Sequence, residues 1–178
     1  IHISLTINYY LMKKIVFFLF GIYLMVTITL AQSTVTDFDG NVYQTVVIGN
    51  QVWMAENLNS THYADGTPLI NGTGDGDITG DYTTKYYFWY NDDSATYADT
   101  YGALYTWAAV MNGATSSNNN PSGVQGVCPD GWHVPSDTAW KELEMYLGMS
   151  QAEADETAAW RGTDEGGKLK ETGTNHWN

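Results

Sequence analysis

The sequence predicts an α+β domain, because strand signals fill its first half and helix signals follow Pro135. The strand signals are a hairpin over 37–54 and the aromatic run Tyr86–Tyr90. The helix signals are N-cap residues at Ser136 and Ser150. Long polar segments separate these elements and predict extended loops.

The first predicted element is the hairpin. Asp39-Gly40-Asn41 has the composition of a turn, and the β-rich run Val42–Ile48 follows it. Gly49-Asn50 then predicts a two-residue turn into a second strand, Gln51–Met54. The Gly/Asp-rich residues 55–82 predict mostly loop.

The next elements contain most of the aromatic residues. Tyr86–Tyr90 reads YYFWY without interruption, which favours a strand covered on both faces. We expect Leu104–Met111 to form a short helix that faces the core through residues at helical spacing. Those residues are Leu104, Trp107, Ala108 and Met111. Residues 112–126 predict an exposed loop.

Two capped helices are predicted after Pro135. The first, over 137–147, has Ser136 as N-cap and ends at Gly148. Its core face is expected to carry Trp140, Leu143 and Leu147. The second, over 151–161, begins with a capping box of Ser150 and Glu153 and ends at Gly162.

The N-terminal residues predict export. Residues 1–11 precede Met12 and are expected to be upstream read-through, whereas 12–31 resemble a signal peptide cleaved after Ala31. The alternative is an uncleaved anchor, because Ile15–Ala31 is an uncharged run of 17 residues, close to the roughly 20 that a spanning helix needs. We therefore expect a secreted, periplasmic or outer-surface domain over 32–178, with membrane contact only through the signal segment.

The charge of the chain restricts its partners. With 20 acidic and 7 basic residues, the formal net charge is −13. A negative field of this size repels phosphate backbones and anionic lipids, so nucleic-acid binding is not expected.

Four blocks of the sequence resemble the Fibrobacter succinogenes major paralogous domain, a family of secreted bacterial domains. They are DFDGNVYQTVVIGNQVWMAENLN (37–59), YGALYTWAAVMN (101–112), GVCPDGWHVPSDTAWKELEMYLG (126–148) and WRGTDEGGKLKETGTNHWN (160–178). The segment GWHVPSDTAW is also similar to a region shared by C-type-lectin-like folds, which include the formylglycine-generating enzymes. The resemblance implies a twisted antiparallel sheet with two short helices and long loops.

Cys128 is the single cysteine of the chain. The resemblance implies that family members continue beyond the point matching Asn178 and carry a second cysteine there. We therefore expect a chain that is incomplete at its C-terminus and a Cys128 whose disulfide partner is absent, as the large aromatic Trp177 near the end also suggests. The alternative is a buried free cysteine.

Metal binding has one loose candidate. Asp75, Asp77 and Asp81 are spaced like the start of a calcium loop, but Tyr86 stands where an EF-hand has its bidentate glutamate. An ordinary acidic turn is therefore favoured over a calcium site. Cys128 with His62, His133 and His176 shows no zinc-type spacing, so no zinc or other cofactor is expected.

No catalytic residue is predicted. His133, Ser136 and Asp137 are the residue types of a triad, but they lie within five positions and Ser136 is needed as a cap. The tripeptides that coordinate calcium and sugar in C-type lectins are absent as well.

The aromatic residues of 86–105 are the best candidates for contacting a ligand. Most are expected to pack in the core, because side chains of contiguous strand residues point both ways. The loop residues Tyr97 and Tyr101, with the nearby Asp92 and Asp93, remain as candidates for ligand binding.

These observations favour a non-catalytic binding module that contacts an extracellular glycan or an envelope protein through the loops 60–100 and 112–126. Two alternatives stay open. One is an enzyme of the formylglycine-generating branch completed by a missing C-terminal segment, and the other is a structural surface-layer component.

Overall fold

The structure, a computed structural model, describes residues 33–157 and 160–170. It has an α+β architecture of two small sheets and short helices. The predicted signal segment 12–31, the upstream residues 1–11 and the tail residues His176 and Trp177 lie outside the described residues.

The first sheet is an antiparallel meander with the order β1-β2-β3. Its strands are β1 (Thr34–Thr36), β2 (Val42–Ile48) and β3 (Gln51–Met54). Ile48 pairs with Gln51, so Gly49-Asn50 forms the predicted two-residue turn. β1 was not predicted, and it pairs with β2 across the turn at 37–41.

The second sheet has the order β4-β5-β6. Its strands are β4 (Ile70–Asn71), β5 (Tyr86–Phe88) and β6 (Leu104–Tyr105). β4 runs parallel to β5, and β6 runs antiparallel to it. The single antiparallel sheet that the resemblance implied is thus replaced, in the described residues, by two small sheets, one of them mixed.

The described residues contain five α-helices. They are α1 (Ser94–Tyr101), α2 (Trp107–Met111), α3 (Asp137–Tyr146), α4 (Gln151–Ala154) and α5 (Glu165–Lys168). The predicted caps of α3 and α4 are confirmed. The Ser136 side chain accepts a hydrogen bond from the Ala139 N–H, and Ser150 and Glu153 form a reciprocal capping box.

The core lies between the second sheet, α2 and the segment around Val127. It consists of Tyr63, Leu69, Tyr87, Ala109 and Val127. The Tyr63 hydroxyl donates to the Ala109 carbonyl oxygen at 2.9 Å, so this buried polar group is satisfied.

A buried polar group, here named the Asp37 hub, joins the first sheet to the chain that follows it. It consists of Asp37, Asn41, Tyr43 and Ser60. The Asp37 carboxylate accepts from the Asn41 N–H and side-chain amide, each at 2.9 Å, from the Tyr43 hydroxyl at 2.6 Å and from the Ser60 hydroxyl at 2.8 Å. These donors replace the water that a carboxylate loses when only 7% of its residue is exposed.

The predicted helix over 104–111 is wrong in its first half. Leu104 and Tyr105 pair with β5, and the helix begins only after Thr106, whose hydroxyl caps it. The periodicity therefore ran across two elements. As a result Leu104 is exposed and Trp107 is 67% exposed, whereas Ala109 and Met111 are buried.

The predicted helix over 151–161 is wrong in length, because α4 ends at Ala154. The Arg161 guanidinium reaches back to the Glu144 carboxylate with two hydrogen bonds of 3.0 and 2.9 Å and also donates to the Glu156 carbonyl oxygen. A capping box marks where a helix begins and carries no information on where it ends.

Candidate functional site

The aromatic strand is shorter than predicted, and this creates a surface cluster. β5 ends at Phe88, so Tyr90 leaves the sheet and is 48% exposed. Its ring lies 5.1 Å from that of Tyr97 and 5.5 Å from that of Tyr101, both in edge-on geometry. Tyr97 and Tyr101 stack at 5.8 Å. These three residues are called the tyrosine cluster below.

Tyr97 and Tyr101 lie on a helix and not, as predicted, in a loop. They are four residues apart on α1, which places both rings on one face of the helix. The helix is held at both ends. The Asp93 side chain accepts from the Thr96 N–H at its start, and Gly102, with a φ of +64°, ends it.

The two aspartates predicted as ligand contacts differ in role. Asp93 is the N-cap of α1, so its carboxylate serves the helix. Asp92 is exposed and follows Asn91, and both have positive φ values, of +56° and +52°. Two successive non-glycine residues in this region are uncommon, and such strained turns occur often at binding sites.

An open cleft of about 780 Å³ lies between α1 and the chain around the Asp37 hub. It is called the α1 cleft below. Tyr101 lines it, so the tyrosine cluster stands at its border. The polar residues of its wall are Asn41, Glu56, Asn57, Asn59, Asp99 and Thr100. Apolar contacts come from Val42, Ala55, Ala98 and Leu169.

The wall of the α1 cleft is fixed by the Asp37 hub. The Tyr43 hydroxyl donates to Asp37 and accepts from the Asn59 N–H at 3.0 Å. The Asn41 side-chain amide donates to Asp37 and also to the Asn59 carbonyl oxygen at 3.3 Å. Burial, followed by the hydrogen bond to Asp37, raises the pKa of Tyr43 well above its usual value, so this hydroxyl stays protonated.

One wall residue carries an unused acceptor. Asn59 Oδ1 is buried and receives no hydrogen bond within the described part of the chain. An amide oxygen in this state costs free energy, and such atoms are rare in native proteins. It lies on a residue that lines the α1 cleft.

The chemistry of this site suits a neutral, hydroxylated ligand. Amides accept hydrogen bonds from hydroxyl groups and donate to them, carboxylates accept from them, and tyrosine rings pack against the apolar faces of sugar rings. No lysine or arginine is among the residues that line the α1 cleft, and Glu56 and Asp99 would repel an anion.

The calcium candidate is not supported. The Asp77 carboxylate accepts from the Thr79 N–H, and Asp81 accepts from the N–H groups of Thr83 and Thr84, as in local turns. Within the described ranges, Asp75, Asp77 and Asp81 do not form a group of three metal-ligating side chains, and neither do any other such residues.

Cys128 is a half-buried free thiol. Burial raises the pKa of this thiol to about 11, which keeps it protonated and poorly nucleophilic at neutral pH. The expected disulfide partner is not among the described residues.

The remaining candidates have structural contacts. Ser136 caps α3, so its oxygen is already hydrogen-bonded to the backbone. His62 is an ion-pair partner of Asp39, which also accepts from the Thr61 N–H and hydroxyl. No described helix combines the length and the apolar character that crossing a bilayer requires.

The polar wall of the α1 cleft is not predicted from the sequence. Glu56, Asn57 and Asn59 belong to the run ENLN directly after the first sheet, and the density of hydrogen-bonding side chains in that run is the signal that could have indicated it. Asn41 is expected from the sequence only in a turn.

The comparisons agree with the resemblance noted in the sequence. The family model described as the Fibrobacter succinogenes major domain matches residues 46–178, which is most of the chain and includes α1, Glu56, Asn57 and Asn59. No curated protein and no solved structure gave a match. The chain belongs to the Fibrobacter succinogenes major domain family.

Proposed function

We propose that this protein is an exported, non-catalytic module that binds neutral glycan chains in the α1 cleft. The observation that carries the proposal is the tyrosine cluster at the border of a cleft whose wall is built from amides and carboxylates. The signal-like segment 12–31 supports an extracellular or periplasmic setting, where such ligands occur.

The proposed binding mode combines two kinds of contact, stacking on an aromatic ring and hydrogen bonding to polar side chains. Tyr101, 42% exposed, offers a ring edge and face for stacking on a sugar, while Asn57 and Asp99 offer hydrogen bonds to its hydroxyls. The cleft is open, as binding along a polymer chain requires. The fold that the resemblance implies, a C-type-lectin-like scaffold that displays its loops, agrees with such a role, although fold alone does not establish function.

Affinity electrophoresis of the full chain in gels that contain neutral polysaccharides tests the proposal. We expect retardation by at least one neutral glycan, and we expect Tyr101→Ala and Asn57→Ala to abolish most of it. Trp160→Ala is the matched control, because Trp160 is a fully exposed aromatic that does not line the α1 cleft. Unchanged mobility in every neutral glycan, or equal retardation of the Tyr101→Ala protein, would contradict the proposal.

A further inference from the structure

A second groove, separate in its residues from the α1 cleft, lies beside α2. Its volume is about 450 Å³, and it is called the Trp107 groove below. Two aromatic residues line it, Trp107 with 67% of its surface exposed and Tyr82 with 84%. Asp77 and Asp81, the former calcium candidates, also line the groove, together with Thr79 and Thr106.

The exposure of Trp107 is not explained by packing. Large aromatic side chains contribute most to stability when they are buried, and an exposed indole in a groove is typical of a surface that meets a partner. α2 needs only Ala109 and Met111 for its contact with the core. Trp107 therefore serves no evident role within the described fold.

The carboxylates of Asp77 and Asp81 are charged, and their hydrogen bonds to neighbouring residues do not use all of their capacity to accept. The hydrogen bonds that they accept from the backbone all go to Oδ1, from Thr79 in one case and from Thr83 and Thr84 in the other. Asp77 is exposed and Asp81 is half-buried, so both charges remain accessible to a ligand. Hydrogen bonds from Thr84 and Thr83 lower the pKa of Asp81 to about 2, and those from Thr79 lower the pKa of Asp77.

Within the described part of the chain, no basic residue lines this groove. Lys85, the basic residue nearest in sequence, donates instead to the Asn112 side chain at 2.7 Å and stands 5.5 Å from the centre of the Tyr63 ring. An aromatic face combined with accessible carboxylates attracts organic cations, and the indole of tryptophan is the strongest aromatic partner for them. A simple metal ion is disfavoured, since the described residues contain no group of three ligating side chains.

We infer that the Trp107 groove binds a saccharide ring that carries a free amino group. The ring stacks on Trp107 and Tyr82, and its ammonium group lies against the Asp77 and Asp81 carboxylates. This site does not depend on the α1 cleft, and it selects a charged sugar where the α1 cleft takes a neutral one.

Calorimetric titration of the full-length Tyr101→Ala protein, in which the proposed neutral-glycan site is disabled, with a glucosamine trimer and with its fully N-acetylated counterpart tests the inference. The two ligands share rings and linkages and differ in positive charge. We expect the amine to bind at least about tenfold more tightly than the acetylated form, in line with one desolvated cation–aromatic contact and its carboxylate partners. Its affinity should fall as salt is added.

Variants separate this site from the α1 cleft. Trp107→Ala and the double variant Asp77→Asn/Asp81→Asn should each lose about tenfold or more in affinity for the amine, whereas Trp160→Ala and Tyr101→Ala should not. Because Trp107 is exposed, circular dichroism of the variant should match the parent. Equal affinity for the two trimers, or an unchanged Trp107→Ala protein, would overturn the inference. A lysine amide that binds as tightly as the trimer would overturn the role of the sugar ring.

Discussion

The Asp37 hub and the tyrosine cluster both border the α1 cleft and both contain tyrosine, but they have opposite properties. In the hub, the Asp37 carboxylate accepts four hydrogen bonds and is buried. In the cluster, two of the three rings are exposed and stand beside a cleft with polar side chains. Polar groups that are satisfied internally stabilise a fold, whereas exposed aromatic rings beside free hydrogen-bonding groups are available to a ligand.

The two regions are physically connected. Asn41 belongs to the hub and also lines the α1 cleft, and Tyr43 positions the backbone of Asn59 in the cleft wall. The hub therefore preorganises the cleft. A preorganised site lowers the entropic cost of binding, because fewer side chains have to be ordered when the ligand binds.

The largest expected effect comes from removing the centre of the hub. Asp37→Ala deletes the acceptor of four donors, two of them buried and two part-buried, so we expect a loss of about 3–5 kcal/mol in the free energy of unfolding. Urea denaturation followed by circular dichroism measures this. Asp99→Ala, on the exposed side of α1, is the matched control and should change stability by less than about 0.5 kcal/mol.

The next largest effect is expected at Gly102, which ends α1, the helix that carries Tyr97 and Tyr101 of the cluster, and lies against Leu58. A Cβ at Gly102 would lie 2.6 Å from the Leu58 carbonyl oxygen, and φ there is +64°. Gly102→Ala should cost about 1–3 kcal/mol because both strain and collision act against it. Gly113→Ala is the control for φ alone, since its φ is +82° with nothing within 4 Å. Equal losses in the two variants would show that the close approach to Leu58 is unimportant.

Alkaline pH should act on the hub through Tyr43. Its pKa is raised in the folded state, so at pH values above about 10 the unfolded chain releases this proton while the folded chain retains it. Fewer protons bound to the unfolded state means that stability falls as pH rises, by at most about 1.4 kcal/mol per pH unit for one group. Tyr43→Phe should reduce this slope in urea titrations between pH 9.5 and 11. A variant with the parent slope would contradict the burial of this hydroxyl.

The smallest effect is expected from the cluster itself. Tyr101→Ala removes a partly exposed ring with two aromatic neighbours, so the free energy of unfolding should fall by no more than about 1 kcal/mol. A loss comparable to that of Asp37→Ala would mean that the cluster is a structural core and would remove the contrast between the two regions. Urea denaturation of both variants under the same conditions decides this.

The sequence was sufficient for features that depend on local chemistry. The two-residue turn at Gly49-Asn50 and the caps at Ser136 and Ser150 are confirmed, because each is set by a few adjacent residues. α1 was missed because its sequence, SATYADTY, is rich in residues of modest helix propensity and no side chain on it is fully buried. The sequence does contain an N-cap residue at Asp93 and a terminating glycine at Gly102.

The α1 cleft is harder to predict from the sequence than the fold class. Its wall combines residues near 41, 56–59, 98–101 and 169, which lie far apart in sequence and meet only through tertiary packing. Trp107 shows the opposite problem. Its helical spacing with Met111 indicated burial, but the helix began later than the pattern did, and the side chain faces a groove.

The claim that the α1 cleft binds glycan is tested most directly by mapping the bound ligand. A neutral glycan that retards the full chain is titrated into isotopically labelled protein, and the side-chain amides of Asn41 and Asn57 and the ring signals of Tyr90 and Tyr101 are followed by NMR. Our account predicts that these signals shift together and saturate with one dissociation constant. Shifts confined to residues outside the α1 cleft and the tyrosine cluster would contradict it.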